Sequence, residues 1–291
     1  MKELVIVSGK GGTGKTSLTA AFAALAANHV VSDCDVDAPN LHLLLAPQVE
    51  KTEDFIASKV ASIDPELCTE CYACKESCRF DAISEELIVD PILCEGCGVC
   101  KLVCPVDAVT LTDSLSGYIY TSATEYCPMA HALLLPGEAN SGKLVARVRQ
   151  LAKELAKEKG KDLLLVDGPP GIACSTIAAI SGASAGIVVV EPTVPAIHDM
   201  ERALQLFVHF QIPVMVVINK FDLNLQKTKG VEAYCAEHGV EVIGRVPFDD
   251  VMIQAVVAGK PVVVYAPKHK LTQALRGIWE KIEERLAHHD S

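Results

Sequence analysis

One cysteine pattern, written twice, constrains this chain more than any other feature. Cys68-x2-Cys71-x2-Cys74-x3-Cys78 recurs 26 residues later as Cys94-x2-Cys97-x2-Cys100-x3-Cys104. An apolar pair follows each copy, Ala82-Ile83 and Ala108-Val109. Eight of the twelve cysteines fall in this stretch. A disulfide framework needs an oxidising compartment, and the opening residues Met1 to Ser8 carry no long apolar region with a cleavage site. No run reaches the ~18 apolar residues of a membrane span. The expectation is a soluble, cytoplasmic chain, without a membrane partner, whose thiols bind metal. All-cysteine zinc sites also use C-x2-C pairs, but duplication of the whole four-cysteine run favours iron–sulfur clusters.

Charge sets the same stretch apart. Residues 61–120 hold eleven acids and three bases, so this segment carries −8 of the chain's −11. So acidic a chain does not suit a nucleic-acid partner held by phosphate neutralisation. Outside the stretch the pattern is strand alternating with helix. Continuous apolar runs at Leu4 to Val7, Val30 to Asp33, Leu163 to Val166, Gly186 to Val190, Val214 to Ile218 and Glu241 to Val246 read as buried parallel strands. Thr16 to Ala27, Ala196 to Phe210 and Leu225 to His238 read as helices between them. The fold class is therefore α/β, a parallel sheet covered on both faces. It is predicted as one discontinuous domain, 1–60 plus 121–291, with 61–120 inserted. Aromatics are only 5%, so Ala, Val, Leu and Ile must fill the core. Leu271, Leu275, Ile278, Ile282 and Leu286 make an amphipathic face near the C-terminus. It reads as a packed terminal helix rather than a membrane-surface one, because the segment is not strongly basic.

The first strand runs into Gly9-Lys10-Gly11-Gly12-Thr13-Gly14-Lys15-Thr16, which fits G-x-x-x-x-G-K-[ST]. The glycines let backbone N–H groups turn inward around phosphates. Lys15 adds a point charge for the β and γ phosphates, Thr16 is a ligand for Mg²⁺, and Ser17 follows at the start of the helix. Asp33-Cys34-Asp35-Val36-Asp37 ends the second strand, and Asp167-Gly168-Pro169-Pro170-Gly171 follows a later one. Asn219-Lys220-x-Asp222 closes the strand from Val214.

With Lys10 included, K-G-G-x-G-K-T is a deviant Walker A loop, and the chain resembles the superfamily of MinD and the nitrogenase iron protein, which includes ParA and ArsA. The resemblance implies an ATPase that closes as a homodimer around nucleotide, with Lys10 reaching the partner's phosphates. It implies that Asp35 orients the attacking water, with Asp33 structural, and that Asp167 holds Mg²⁺ through water. It also implies that Asn219 reads adenine. The Asn219 segment equally matches the guanine-reading N-K-x-D of GTPases; the loop type favours ATP. The cysteine spacing resembles that of bacterial two-cluster ferredoxins. That resemblance implies two [4Fe-4S] clusters, one on Cys68, Cys71, Cys74 and Cys104, the other on Cys94, Cys97, Cys100 and Cys78. Pro105 follows Cys104 as the ferredoxin pattern wants, whereas Arg79 replaces the proline of the first copy. Cys34 and Cys235 read as packing residues. Cys174, seven residues after Asp167, stands where the nitrogenase iron protein bridges a cluster across its dimer, with Cys127 as the candidate second ligand; because Gly171-Ile172-Ala173-Cys174 otherwise differs from that pattern, a helix-start cysteine and a loop cysteine are the preferred reading and a third cluster the alternative.

Joined together, these parts predict an ATPase whose nucleotide state is coupled to electron transfer with a redox partner. The alternative is an iron–sulfur assembly or metal-delivery ATPase acting on an apo-protein. A positioning protein of the MinD/ParA kind is disfavoured by the cysteines. A cobyrinate-type amidoligase would need substrate-binding residues that the chain does not display.

Overall fold

The computed structural model describes residues 1–138 and 141–288. The first half of the chain forms β1 (Lys2–Ser8), α1 (Lys15–Leu25), β2 (His29–Asp33), α2 (Leu41–Leu45), β3 (Gln48–Ile63), α3 (Ala73–Glu76), α4 (Val99–Leu102), β4 (Val109–Ala123) and β5 (Pro128–Leu134). The second half forms α5 (Ser141–Glu158), β6 (Leu163–Pro170), α6 (Cys174–Ile180), β7 (Ala185–Val190), α7 (Val194–His209), β8 (Val214–Asn219), α8 (Leu225–Glu237), β9 (Glu241–Val246), α9 (Asp250–Val257), α10 (Val262–Tyr265) and α11 (Lys270–His288). They gather into two compact units. One comprises Met1–Thr52, Ile119–Leu133 and the chain from Ser141 on; the other comprises Glu53–Tyr118 and the residues after Leu133 up to 138.

In the larger unit the strands run β5-β2-β6-β1-β7-β8-β9, every neighbouring pair parallel. Parallel order requires helical crossovers, which cover both faces, so the central strands are apolar end to end. Leu4 to Val7 and Ile187 to Val189 are fully buried. Helix α1 lays Leu18 and the run Ala20 to Ala23 on this sheet. Helix α11 buries Leu271, Leu275, Ile278, Ile282 and Leu286, and its Trp279 ring lies 5.6 Å from that of Phe22. The C-terminal amphipathic face is thus a core face. No helix among the described residues is long and apolar enough to cross a membrane.

The smaller unit contains the eight cysteines of the repeat, and its backbone repeats as the sequence does. Helices α3 and α4 occupy matching positions in the two copies. Left-handed residues also recur in step: Glu70, Tyr72 and Asp81 (φ 53, 61 and 52°) match Gly96, Gly98 and Asp107 (φ 61, 78 and 53°). The copies are cross-linked through their backbones. Asp64 N–H donates to the Ala108 carbonyl and Asp90 N–H to that of Ala82, both at 2.8 Å, so each copy's start pairs with the other's end. Strands β3 and β4 neighbour each other here, with Thr112 Oγ1 donating to the Val60 carbonyl at 3.3 Å.

Candidate functional site

The glycine loop turns at the carboxyl end of β1, between β6 and β7, where strand ends of a parallel sheet open a crevice. Gly14 caps α1 at φ 90°, and a Cβ built there would meet the Asn219 amide nitrogen at 2.3 Å. Both facts demand glycine. The loop lines a cavity of about 620 Å³ that also takes in Ser17, Asp35, Pro169, Pro170 and Ala173. Thr13 is 1% exposed and its hydroxyl finds no partner among the described residues.

Lys15 Nζ lies 2.9 Å from Asp167 Oδ1 and 3.6 Å from Asp35 Oδ2. Burial works against its charge, yet Asp167, Asp35 and Asp33 outweigh burial and hold the ammonium above its ordinary pKa. Thr16 Oγ1 donates to Asp167 Oδ2, and Thr19 Oγ1 to Asp167 Oδ1, each at 2.8 Å. Thr16 and Asp167 therefore set oxygen donors side by side, the ligand type that Mg²⁺ takes, and Asp35 meets them through Lys15. Asp33 turns away from the cavity and accepts from the N–H groups of Asp35 and Leu41 at 3.1 Å, as a structural carboxylate should. Burial, with Asp167 nearby, pushes its carboxyl up to about 8. Burial also raises Asp35.

The residues expected to read the base and to act in trans are engaged within the chain. Asn219 Nδ2 donates to the Thr13 carbonyl at 2.7 Å, and its Oδ1 accepts from Lys220 N–H at 3.0 Å. It braces the loop, with one amide proton and one lone pair to spare. Asp222 Oδ1 accepts from Phe248 N–H at 2.7 Å. Lys10 Nζ sits 2.7 Å from Glu191 Oε1, and Lys220 Nζ 2.9 Å from Glu191 Oε2. Glu191 and Thr19 escaped the sequence reading. A lone acid closing the apolar strand Ala185–Val190, level with the loop, was the available signal for Glu191; Thr19, one helical turn beyond Lys15, offered none.

In the smaller unit, Cys78 lines one apolar cavity together with Cys94, Cys97 and Cys100, walled by Phe80, Ile83, Val89 and Leu111. Burial raises the Cys74 thiol, with Cys68 and Cys71 close enough to push it the same way; burial raises Cys100, with Cys94 and Cys97 adding to it. Three sulfurs accept backbone N–H bonds: Cys68 from Glu70 at 3.4 Å, Cys94 from Ala61 at 3.5 Å, and Cys104 from Ala108 at 3.3 Å. Such bonds stabilise thiolate ligands and set cluster potentials. Among the described residues no three His, Cys, Asp or Glu side chains are gathered to hold a single ion. A cubane does not require that gathering, since each thiolate takes its own iron.

For the candidate third, bridging cluster at Cys127 and Cys174, the burial of Cys127 favours the packing reading. Cys174 is exposed at the start of α6, but Cys127 is 7% exposed within the hydrophobic core. Burial pushes its thiol up to about 12. A ligand that bridges two protomers must reach a shared surface, and Cys127 is packed inside the core. Cys34 and Cys235 are fully buried, as packing residues are.

The profile described as CobQ/CobB/MinD/ParA nucleotide binding domain matches residues 4–262. An uncharacterized protein of Methanocaldococcus jannaschii is 32% identical over 97% of this chain and 96% of its own length. The cytosolic Fe-S cluster assembly factor Nubp1 homolog of Drosophila pseudoobscura pseudoobscura is 29% identical over 42% of this chain and 45% of its own. In fold, the chain is similar to the septum site-determining protein MinD complexed with Mg-ADP from Pyrococcus horikoshii. The TM-score is 0.63 at 19% identity, covering 99% of this chain and 98% of that one.

Proposed function

The chain belongs to the CobQ/CobB/MinD/ParA nucleotide-binding family, and from that premise we propose that it is an ATP-driven switch governing two [4Fe-4S] clusters in its cysteine-rich unit. The loop N–H groups and Lys15 take the phosphates, while Thr16 and Asp167 hold Mg²⁺. Asp35, 3.6 Å from Lys15, orients the attacking water. ATP closes a homodimer, Lys10 reaches the partner's phosphates, and hydrolysis reopens it. When bound, the clusters supply one-electron redox chemistry.

One observation carries the cluster half of this reading: Cys78, from the first copy, lines an apolar cavity with Cys94, Cys97 and Cys100 of the second. A donor set drawn from both copies and walled by apolar side chains suits a cluster that is kept. Retention favours electron transfer to a redox partner. The second reading is cluster delivery to an apo-protein, and it is favoured by the similarity to a cluster assembly factor.

Iron analysis and EPR of anaerobically prepared protein test the proposal. About eight irons per chain are expected, the content of two cubanes. Cys78→Ser should disturb the cluster of Cys94, Cys97 and Cys100 rather than that of its own copy, and Cys104→Ser should do the converse. Zinc in place of iron, with no visible absorbance, would sink the reading. Rapid transfer of intact clusters to an apo-ferredoxin would move the preference to delivery.

A further inference from the structure

We propose that Glu191 is a positioning residue that keeps Lys10 on its own chain until nucleotide and a second copy of the chain draw it away. The proposal rests on the homodimer reading above. Glu191 follows directly on β7, and its carboxylate grips two amines at once: Lys10 Nζ at 2.7 Å and Lys220 Nζ at 2.9 Å. Lys220 donates in addition to the Gly12 carbonyl at 3.0 Å. One carboxylate thus ties the first lysine of the loop to the ends of β7 and β8, and through Lys220 to the crest of the loop itself. An amine lying on Glu191 is held at the strand ends of its own chain.

The grip is built to let go. The Glu191 side chain is 12% exposed and that of Lys10 32%. A nearly buried carboxylate left without a cation would be costly. Here Lys220 stays when Lys10 leaves, so the carboxylate never stands alone. The two lysines outweigh burial and hold Glu191 below its ordinary carboxylate pKa. Lys10, about a third exposed, gives up only a partly screened ion pair, and such pairs are weak. Phosphate oxygens on a partner's nucleotide offer several acceptors of higher charge, so the exchange runs toward the closed dimer only when nucleotide is present.

Glu191→Gln keeps the shape and one acceptor for Lys220 but removes the charge. In nucleotide-free protein, Lys10 acylation by limiting acetic anhydride, read by mass spectrometry, should rise about two- to fivefold, the range of one exposed ion pair. Each protomer of the dimer releases its own Lys10, so sedimentation in Mg·ATP should find dimers at protein concentrations lower by about the square of that factor. Adding Glu191→Gln to Lys10→Ala should change nothing beyond Lys10→Ala alone, because Glu191 acts through Lys10. Glu191→Asp, which retains the charge on a shorter arm, should fall between wild type and Glu191→Gln and serves if the amide variant folds poorly. Unchanged Lys10 reactivity, or dimerisation weakened rather than eased, would overturn the proposal. A wild-type chain that stays monomeric in ATP would sink the dimer reading and this gate with it. That failure is separable, because Lys10 reactivity is measured without nucleotide.

Discussion

At the scale of single residues, the site is a balance between one buried ammonium and three carboxylates. Lys15 is 5% exposed, while Asp33 and Asp167 are fully buried. Removing the cation leaves charges with no solvent to spread into, and breaking such a buried pair typically costs about 3–5 kcal/mol. Lys15→Ala should therefore abolish Mg·ATP binding and also destabilise the chain by roughly 3 kcal/mol near pH 8. The sign of the pH effect follows from Asp33, whose folded pKa of about 8 lies above its ordinary value of 3.8. Between those values the native state binds the proton that the unfolded state has lost, so stability from this group rises as pH falls. The Lys15→Ala defect should shrink in denaturant melts at pH 5 compared with pH 8. A defect that is equal at both would mean that Asp33 and Asp167 do not hold the repulsion.

At the scale of elements, legibility followed burial. The predicted strand at Leu4 to Val7 is the core of Lys2–Ser8, and that at Glu241 to Val246 is an observed strand to the residue. A buried parallel strand leaves an unbroken apolar run, and such a run is hard to mistake. Strands β3 and β4 left no such run. β3 reads Gln-Val-Glu-Lys-Thr-Glu-Asp at its start, with those residues mostly exposed, and β4 alternates Thr, Ser and Tyr with apolar residues. Helix α5 was hidden by the opposite excess, a charged face rich in Arg, Lys and Glu. Asn219 was legible as a site residue, but its grip on the Thr13 carbonyl depends on how β8 meets the loop, which no local pattern records. The glycines of the second cysteine copy hide a tertiary reason too. Gly96 and Glu70 share one left-handed conformation, yet a Cβ on Gly96 would meet the Lys59 carbonyl oxygen at 2.2 Å. The second copy needs glycine because β3 crosses it; the first merely tolerates Glu70 under strain. Gly96→Ala should push β3 off the loop and lower iron content by about half, the share of one of two cubanes. Glu70→Gly should leave iron unchanged and stabilise by up to about 1 kcal/mol, the left-handed penalty less the entropy of glycine. Iron assays and melting curves on the pair decide it; full iron in Gly96→Ala would show that the close approach relaxes freely.

At the scale of the whole molecule, one chain carries a nucleotide site and a separate cysteine-rich unit, and the question is whether they share free energy. The chain enters the smaller unit between Thr52 and Glu53, shortly after Asp35, and returns between Tyr118 and Ile119. Asp35 faces Lys15 and lines the nucleotide cavity, so loss of the γ-phosphate alters the charge that it meets. If the proposed switch governs the clusters, ATP must bind their oxidised and reduced forms with different affinity. Linkage makes the effect reciprocal: whatever redox state favours ATP, ATP favours in turn. A tenfold difference in affinity is about 1.4 kcal/mol, which moves a one-electron potential by ~59 mV. Redox titration without nucleotide, with Mg·ADP and with a non-hydrolysable ATP analogue should therefore give potentials separated by tens of millivolts for at least one cluster. Lys15→Ala should erase the separation, because it removes the nucleotide and leaves the cysteines untouched. Identical potentials in all three nucleotide states, together with identical rates of electron transfer to a mediator, would make the clusters passengers of the ATPase. Delivery would then become the better account of why the two units share a chain.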